Sequence, residues 1–299
     1  MKDRKIIIGS RGSALAWKQS EVVSDRLQNL DPTLRIEIKA ITTQGDKNNS
    51  PIPLDVVGKG WFTKEIENEL LASSIDLAVH SLKDLPEELP NGLCIGAIPE
   101  REDPRDVLVS KDGKALEQLK QGAIIGTDSL RRKVQILALR SDLVVESIRG
   151  NVPTRLKKLQ TEHYDAVVLA AAGLVRLGLE NEITQYFEPG QMVPAPGQGA
   201  LAVELRTQDT ELQNLLQQIN DPVTEITTSA ERAFSRAVGG GCKQPVGAYA
   251  TCVGDIFTLV AIIAPLDCST LIRDSITGTC ADSIMLSQQL AKRMLEKIA

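Results

Sequence analysis

Cys242 stands behind three glycines, in the stretch GGGCKQPVG at residues 239–247. Glycine places no side chain beside a thiol and lets another group approach the main chain. The stretch therefore reads as a loop that presents a nucleophile with room for a sizeable partner. A set of arginines is the second feature. GTDSLRRKV at 126–134 puts Arg131 and Arg132 in the first turn of a helix that Thr127, Asp128 or Ser129 can cap. A helix N-terminus favours anions, and cations there oppose the helix dipole. Paired arginines at that place point to an anion strong enough to outweigh the cost. Arg149 and Arg155 follow in SIRGNVPTRLKKL, Arg176 in AAAGLVRLGL, and Arg11 in GSRGS. For an isolated Arg–Arg pair a solvated basic face is the simpler reading, and it is the recurrence at strand edges that argues otherwise. The guanidinium fork matches a carboxylate or phosphate through two parallel hydrogen bonds. Several forks imply a ligand with several such groups, and no GxxxxGK[ST] loop supplies the usual nucleotide signature.

VHSLKDLP at 79–86 adds Lys83 and Asp84. On a surface this is an ordinary ion pair. Among arginines, Asp84 becomes the one negative group, able to stabilise a positive charge on the ligand and to handle a proton. His80 reads as a packed strand residue. Gln198 and Gly199, in PGQGA, lie where backbone could also face the ligand.

The elements that must position these groups repeat a strand, a small polar turn and a helix: KIIIGSRGSALAWKQSEVVSDRL, then LRIEIKAITTQGD, IDLAVHSLKDLP, AIIGTDSLRRKVQILALR and YDAVVLAAAGLVRLGL. Such alternation predicts parallel α/β sheets, whose ligands bind beyond the carboxyl ends of the strands. PEREDPRDV at 99–107 and PGQMVPAPGQGALAV at 189–203 read as crossings between two lobes with a hinged cleft. The expected organisation is 1–99 plus 200–218 as lobe 1, 100–199 as lobe 2, and 219–299 as a smaller C-terminal domain carrying Cys242. In that domain TEITTSAERAFSRAV reads as a helix, IFTLVAIIAP as a strand and SIMLSQQLAKRMLEKIA as a closing amphipathic helix. The non-periodic segment 42–65 is a candidate loop over an active site.

Composition bounds the partners. A chain of 299 residues with net charge −5 and 3% aromatics is a poor candidate for coating nucleic acid. MKDRKIIIGSRGS carries too short an apolar run for a signal peptide, and no stretch approaches a membrane span. The expectation is a cytoplasmic monomer. Five cysteines without a CxxC pair, and two histidines, argue against a disulfide framework or a metal site. Cys94, Cys252, Cys268 and Cys280 read as small buried hydrophobes.

IGSRGSALA, GKGWFTKE, AVHSLKDLP, EREDPRD, IIGTDSLRR, RGNVPTRLKKL, AAAGLVRLG, PGQGALAVE and GGGCKQPVGAYA occur in that order. In these motifs the chain resembles the hydroxymethylbilane synthase (porphobilinogen deaminase) family over nearly its whole length. The resemblance implies an α/β fold of two periplasmic-binding-protein-like lobes with mixed, mainly parallel sheets and a smaller α+β C-terminal domain. It implies a transferase of tetrapyrrole and heme biosynthesis that condenses four porphobilinogen molecules, with loss of ammonia, and releases linear hydroxymethylbilane. It implies a dipyrromethane cofactor held by a thioether to Cys242, and Asp84 as the group that stabilises the cationic azafulvene and moves protons. By the same resemblance Lys83, Asp84, Thr127, Ser129, Arg131, Arg132, Arg149, Gly150, Arg155, Ala170 and Gln198 bind the cofactor. Arg11, Ser13, Phe62, Arg149, Arg155 and Arg176 serve the substrate, Phe62 with the 42–60 loop as a lid. Asp128 stands where a small serine-like residue is expected, and reads as an outward-facing cap. Asp55 and Trp61 also depart from the family pattern.

Two other classes compete. A two-lobe polyanion-binding protein explains the arginines but leaves Cys242 and Asp84 idle. A thiol acyl-transfer enzyme needs a base beside Cys242, and neither histidine sits in a promising context. Ehrlich's reagent, which colours a bound dipyrromethane, separates the first alternative from the synthase.

Overall fold

β-Branched residues with alternating burial start the chain's first sheet. In β1 (Lys5–Arg11), Ile6 and Ile8 are fully buried, and Ser13 caps the helix that follows, α1 (Ala14–Leu30), by accepting from the Ala16 N–H. β2 (Arg35–Ile41), α2 (Lys64–Leu71), β3 (Leu77–Ser81) and β4 (Leu93–Ala97) complete the first pass. The structure is a computed structural model and describes residues 4–43, 63–239 and 245–298.

β5 (Asp106–Ser110), β6 (Ile124–Gly126), α3 (Leu130–Leu139), β7 (Val144–Glu146), α4 (Val152–Thr161), β8 (Ala166–Ala170), α5 (Ala171–Leu177) and β9 (Gln185–Phe187) build a second sheet. The chain then returns as β10 (Leu201–Arg206), which lies between β3 and β4 and antiparallel to both. The first sheet has the order β2-β1-β3-β10-β4 and the second β7-β6-β8-β5-β9, in which β5 is the antiparallel member. The fold is thus mixed α/β with two sheets of mixed strands and a smaller C-terminal domain. Two compact units contain these elements, 1–101 with 200–225 and 102–199 with 226–299. Among the described residues no helix is long and apolar enough to cross a membrane.

After α6 (Thr210–Leu216), α7 (Pro222–Ala237), the antiparallel meander β11 (Val246–Val253), β12 (Ile256–Ile263) and β13 (Ile272–Thr279), and α8 (Ser283–Leu295) form the C-terminal domain. Helices and strand here match their sequence readings. Phe234, Phe257, Leu259, Leu290 and Met294 make its core. A buried carboxylate ties it to the rest of the second unit. Glu231 of α7 accepts from the Gly197 N–H at 2.7 Å and from the Ala250 N–H at 2.9 Å.

The cysteine reading needs correction here. Cys252 and Cys280 are joined as a disulfide with a Cα–Cα distance of 6.2 Å, while Cys94 and Cys268 are free and half-buried. An odd cysteine count hid the pair, because the partners meet only when the β11–β12 turn comes up against the end of β13. The bridge spans 28 residues, for which loop closure predicts a stabilisation of about 3–4 kcal/mol. Reductant should lower the urea midpoint of the C-terminal domain accordingly, and Cys252→Ala should remove that sensitivity. An identical midpoint with and without reductant would show that the bridge contributes nothing.

Candidate active site

In each sheet the parallel strands deliver their polar residues to one edge. β1 and β3 are parallel neighbours, with Gly9 beside Ala78, so their carboxyl ends lie side by side. There the first unit brings together Arg11, Ser13, Lys83 and Asp84. Asp84 ends a single 3-10 turn, Leu82–Asp84, whose flanking leucines are anchors: Leu82 and Leu85 are buried, while Asp84 is exposed and Lys83 half-buried. The Leu82 N–H donates to the Ala200 carbonyl at 3.0 Å, and Gln19 of α1 donates to the Ser81 hydroxyl at 2.8 Å. The turn is therefore fixed from beneath while its carboxylate stays accessible.

The second unit repeats the device with more charge. β7, β6 and β8 run parallel and end at Glu146, Gly126 and Ala170. Thr127, Ser129, Arg149, Gly150 and Ala170 follow or form those ends. Antiparallel β5 begins at the same edge, since Asp106 pairs with Ala170. Ser129 caps α3 by accepting from the Arg132 N–H at 3.3 Å. Asp128 is thus not the cap that its sequence reading made it. Its carboxylate instead accepts from the Ser147 hydroxyl and pairs with Arg149 at 3.2 Å, because the preceding turn aims it towards the end of β7.

Arg131 and Arg132 are buried, and both close on Asp106, which is fully buried. Arg131 Nη1 donates to Asp106 Oδ2 at 2.6 Å and to the Val193 carbonyl at 2.7 Å, and its Nη2 reaches Asp106 Oδ1 at 3.3 Å. Arg132 donates to Asp106 Oδ1 through Nε at 2.9 Å and Nη2 at 2.7 Å, and to the Val168 carbonyl through Nη1 at 2.9 Å. Gln198 adds a bond to Asp106 Oδ1 at 3.0 Å. Burial alone would push the Asp106 carboxyl up, but the two guanidiniums outweigh it and hold the group well below the usual carboxylate range. Two cations face one anion, so a surplus positive charge remains. A guanidinium has five N–H donors, and these bonds use three on each arginine. The unspent donors and surplus charge fit a ligand carboxylate.

Arg155 of α4 donates to the Gly150 carbonyl at 2.8 Å, and Arg176 of α5 to the Gly199 carbonyl at 2.7 Å. Gly199 has a φ of +88°, and a Cβ there would strike the Glu102 carbonyl. Cys242, Phe62 and the 44–62 part of the lid segment lie outside the described residues. Sequence reasoning missed Asp106. Its available signal was a carboxylate opening the apolar run DVLVS, directly after the charged crossing.

Fold and strand-end residues together define a mixed α/β protein that gathers arginine and other polar side chains at the edges of its sheets. The sequence matches the family described as porphobilinogen deaminase, dipyromethane cofactor binding domain, over residues 6–214, and that family's C-terminal domain over 226–296. It is 46% identical over 296 residues to the porphobilinogen deaminase of Syntrophobacter fumaroxidans, covering 99% of this chain and 96% of that one. It is 47% identical over 302 residues to that of Oceanobacillus iheyensis, covering 99% and 98%. The chain belongs to the porphobilinogen deaminase family, a family of transferases. Among solved structures it is similar to a Salmonella typhimurium periplasmic binding protein with high arginine specificity, at 12% identity, 74% and 94% coverage and a TM-score of 0.41.

Proposed function

We propose that this chain is a hydroxymethylbilane synthase, which joins four porphobilinogen molecules with loss of ammonia at each step and releases the linear tetrapyrrole by hydrolysis. The observation that carries this reading is the doubled arginine on a single buried carboxylate. A buried ion pair for stability alone needs one cation, and the second leaves charge and donors for a ligand. Porphobilinogen bears an acetate and a propionate, so every unit added brings two more carboxylates.

Dipyrromethane, held through Cys242, supplies the pyrrole carbon from which chain growth starts. Arg131, Arg132 and Ser129, with Thr127, Gly150, Ala170 and Gln198, would hold its carboxylates, and Lys83 would add a further positive charge. Arg11, Ser13, Arg149, Arg155 and Arg176 neutralise the incoming and growing chain. Loss of ammonia from porphobilinogen leaves a cation conjugated with the pyrrole nitrogen. Asp84 offers its carboxylate to that nitrogen, stabilises the charge and takes the proton released when the new carbon–carbon bond forms. The organisation proposed is lobe 1 (1–99, 200–218), lobe 2 (100–199) and a C-terminal domain (219–299), working as a cytoplasmic monomer on a small molecule, without nucleic acid or membrane.

Intact mass of the purified protein, followed by peptide mapping, tests the reading. The expected result is an excess of two pyrrole units on the peptide containing Cys242. A Cys242 peptide that stays unmodified after incubation with porphobilinogen would overturn it and leave polyanion binding in its place.

A further inference from the structure

Beneath the turn that carries Asp84 lies a set of ionisable groups that the reaction above does not use. His80 on β3 and Glu204 on β10 are both buried and share a face of the first sheet, with His80 Nε2 and Glu204 Oε2 2.9 Å apart. α2 covers that face, with Ile66 and Leu70 packed against Ala78, and it buries Glu67 beside the pair. Oε1 of Glu204 and Oε1 of Glu67 are buried without a hydrogen-bond partner among the described residues.

The other titratable groups on this side do not resolve the imbalance. Glu65 adds negative charge from α2, and the Cys94 thiol on β4 is pushed up by burial and so stays neutral. Arg206 on β10 is committed to the Leu70 and Ile75 carbonyls and to Asp76. Arg11 ends β1 one strand away from His80. Fully ionised, the trio would hold two carboxylates against one imidazolium, with bare oxygens buried in an apolar layer. One further proton turns an acceptor into a donor and removes the excess charge. Glu67 is the site for it: burial pushes its carboxyl up, Thr63 and His80 oppose this, and Glu204 and Glu65 add to it.

We propose that His80 and Glu204, with Glu67 buried beside them, are positioning residues for Asp84. Together they clamp the end of β3 to β10 and α2 and so fix the turn that presents the catalytic carboxylate. His80 lies four residues before Asp84, on a strand whose continuation is the turn itself. Ionisation of Glu67 places an uncompensated charge in the clamp and loosens it. This inference rests on the assignment of Asp84 to catalysis.

The sign of the pH effect follows from the raised carboxyl. Glu67 holds its proton in the folded chain at pH values where the unfolded chain has lost it. Its contribution to stability is therefore full below the ordinary carboxylate range and lost as pH rises through its folded value.

Urea unfolding across pH, on the full chain and on Glu67→Gln, reads the proton without reference to activity. The wild-type chain should lose stability with rising pH more steeply than Glu67→Gln, whose amide mimics the protonated acid. In turnover, Glu67→Gln should carry the alkaline limb of kcat upward. Glu204→Gln should lower kcat on the order of ten- to a hundredfold, as misplacement of a catalytic group does, with KM little changed. Parallel stability profiles for wild type and Glu67→Gln would overturn the protonation, and wild-type kcat in Glu204→Gln would overturn the clamp. Should Glu204→Gln fail to fold, the isosteric Glu67→Gln still decides through both of its readouts. Asp84→Asn in the same series separates the two levels. Wild-type turnover there removes the catalytic assignment, while the stability profiles still report the proton.

Discussion

Asp84→Ala should lose turnover on the order of a hundred- to ten-thousandfold, the range that a positioned acid–base group contributes, while keeping its fold and its cofactor. The structure separates these effects. The Asp84 side chain is exposed, and the turn that bears it is held by buried Leu82 and Leu85, by the Leu82 bond to Ala200 and by the adjoining β3–β10 ladder. Removing a carboxylate from such a place should change stability by no more than about 0.5 kcal/mol. The arginines assigned to the cofactor belong to the other unit, so loading at Cys242 does not depend on this side chain alone. Single-turnover kinetics with porphobilinogen, alongside intact mass and a urea curve, measure all three quantities. A variant that turns over at the wild-type rate would take Asp84 out of the mechanism. One that is inactive but also unloaded would move Asp84 from the chemistry to cofactor assembly.

Sequence made the edges legible and the interior less so. The strand ends that lead into Asp84, Arg131, Arg149 and Arg176 were legible because strand, turn and helix follow one another locally, and parallel strands bring their ends to one side. The closing C-terminal helix was found from its apolar spacing. Partners distant in sequence were not found. Asp106 is 25 residues from Arg131, and Glu204 is 124 from His80. Both pairs depend on which strands become neighbours, and local periodicity does not determine strand order. The antiparallel insertion of β5 and β10 is what carries each carboxylate beneath the residues it serves. The Cys252–Cys280 bridge escaped for the same reason, since its halves meet across a sheet end. Asp128 was misread because three successive residues could each cap α3, and only the backbone path selects Ser129.

Asp106→Asn tests the interior directly. The substitution keeps the shape and one acceptor but removes the charge that two buried guanidiniums share. Breaking one side of a buried ion pair costs about 3–5 kcal/mol, mostly from the charge left without a partner. Here two are left, so the upper part of that range is expected. The acid limb should change as well. Because the folded chain holds the Asp106 carboxyl below its unfolded value, its contribution is full above about pH 4 and is lost progressively as pH falls from there through a folded value well below the usual carboxylate range. Asp106→Asn should lack that part of the acid loss. Freed from the carboxylate, the arginines should also swing out of register, and the variant should carry little or no two-pyrrole mass on Cys242. A second substitution separates charge from position. Asp106→Asn combined with Arg132→Met restores the original surplus of a single positive charge, so part of the lost stability should return. Loading should not, because the fork that Asp106 aligned is incomplete. If the double variant regains both, charge balance alone sets the site. If Asp106→Asn is loaded and as stable as wild type, the buried carboxylate has no part in holding the arginines.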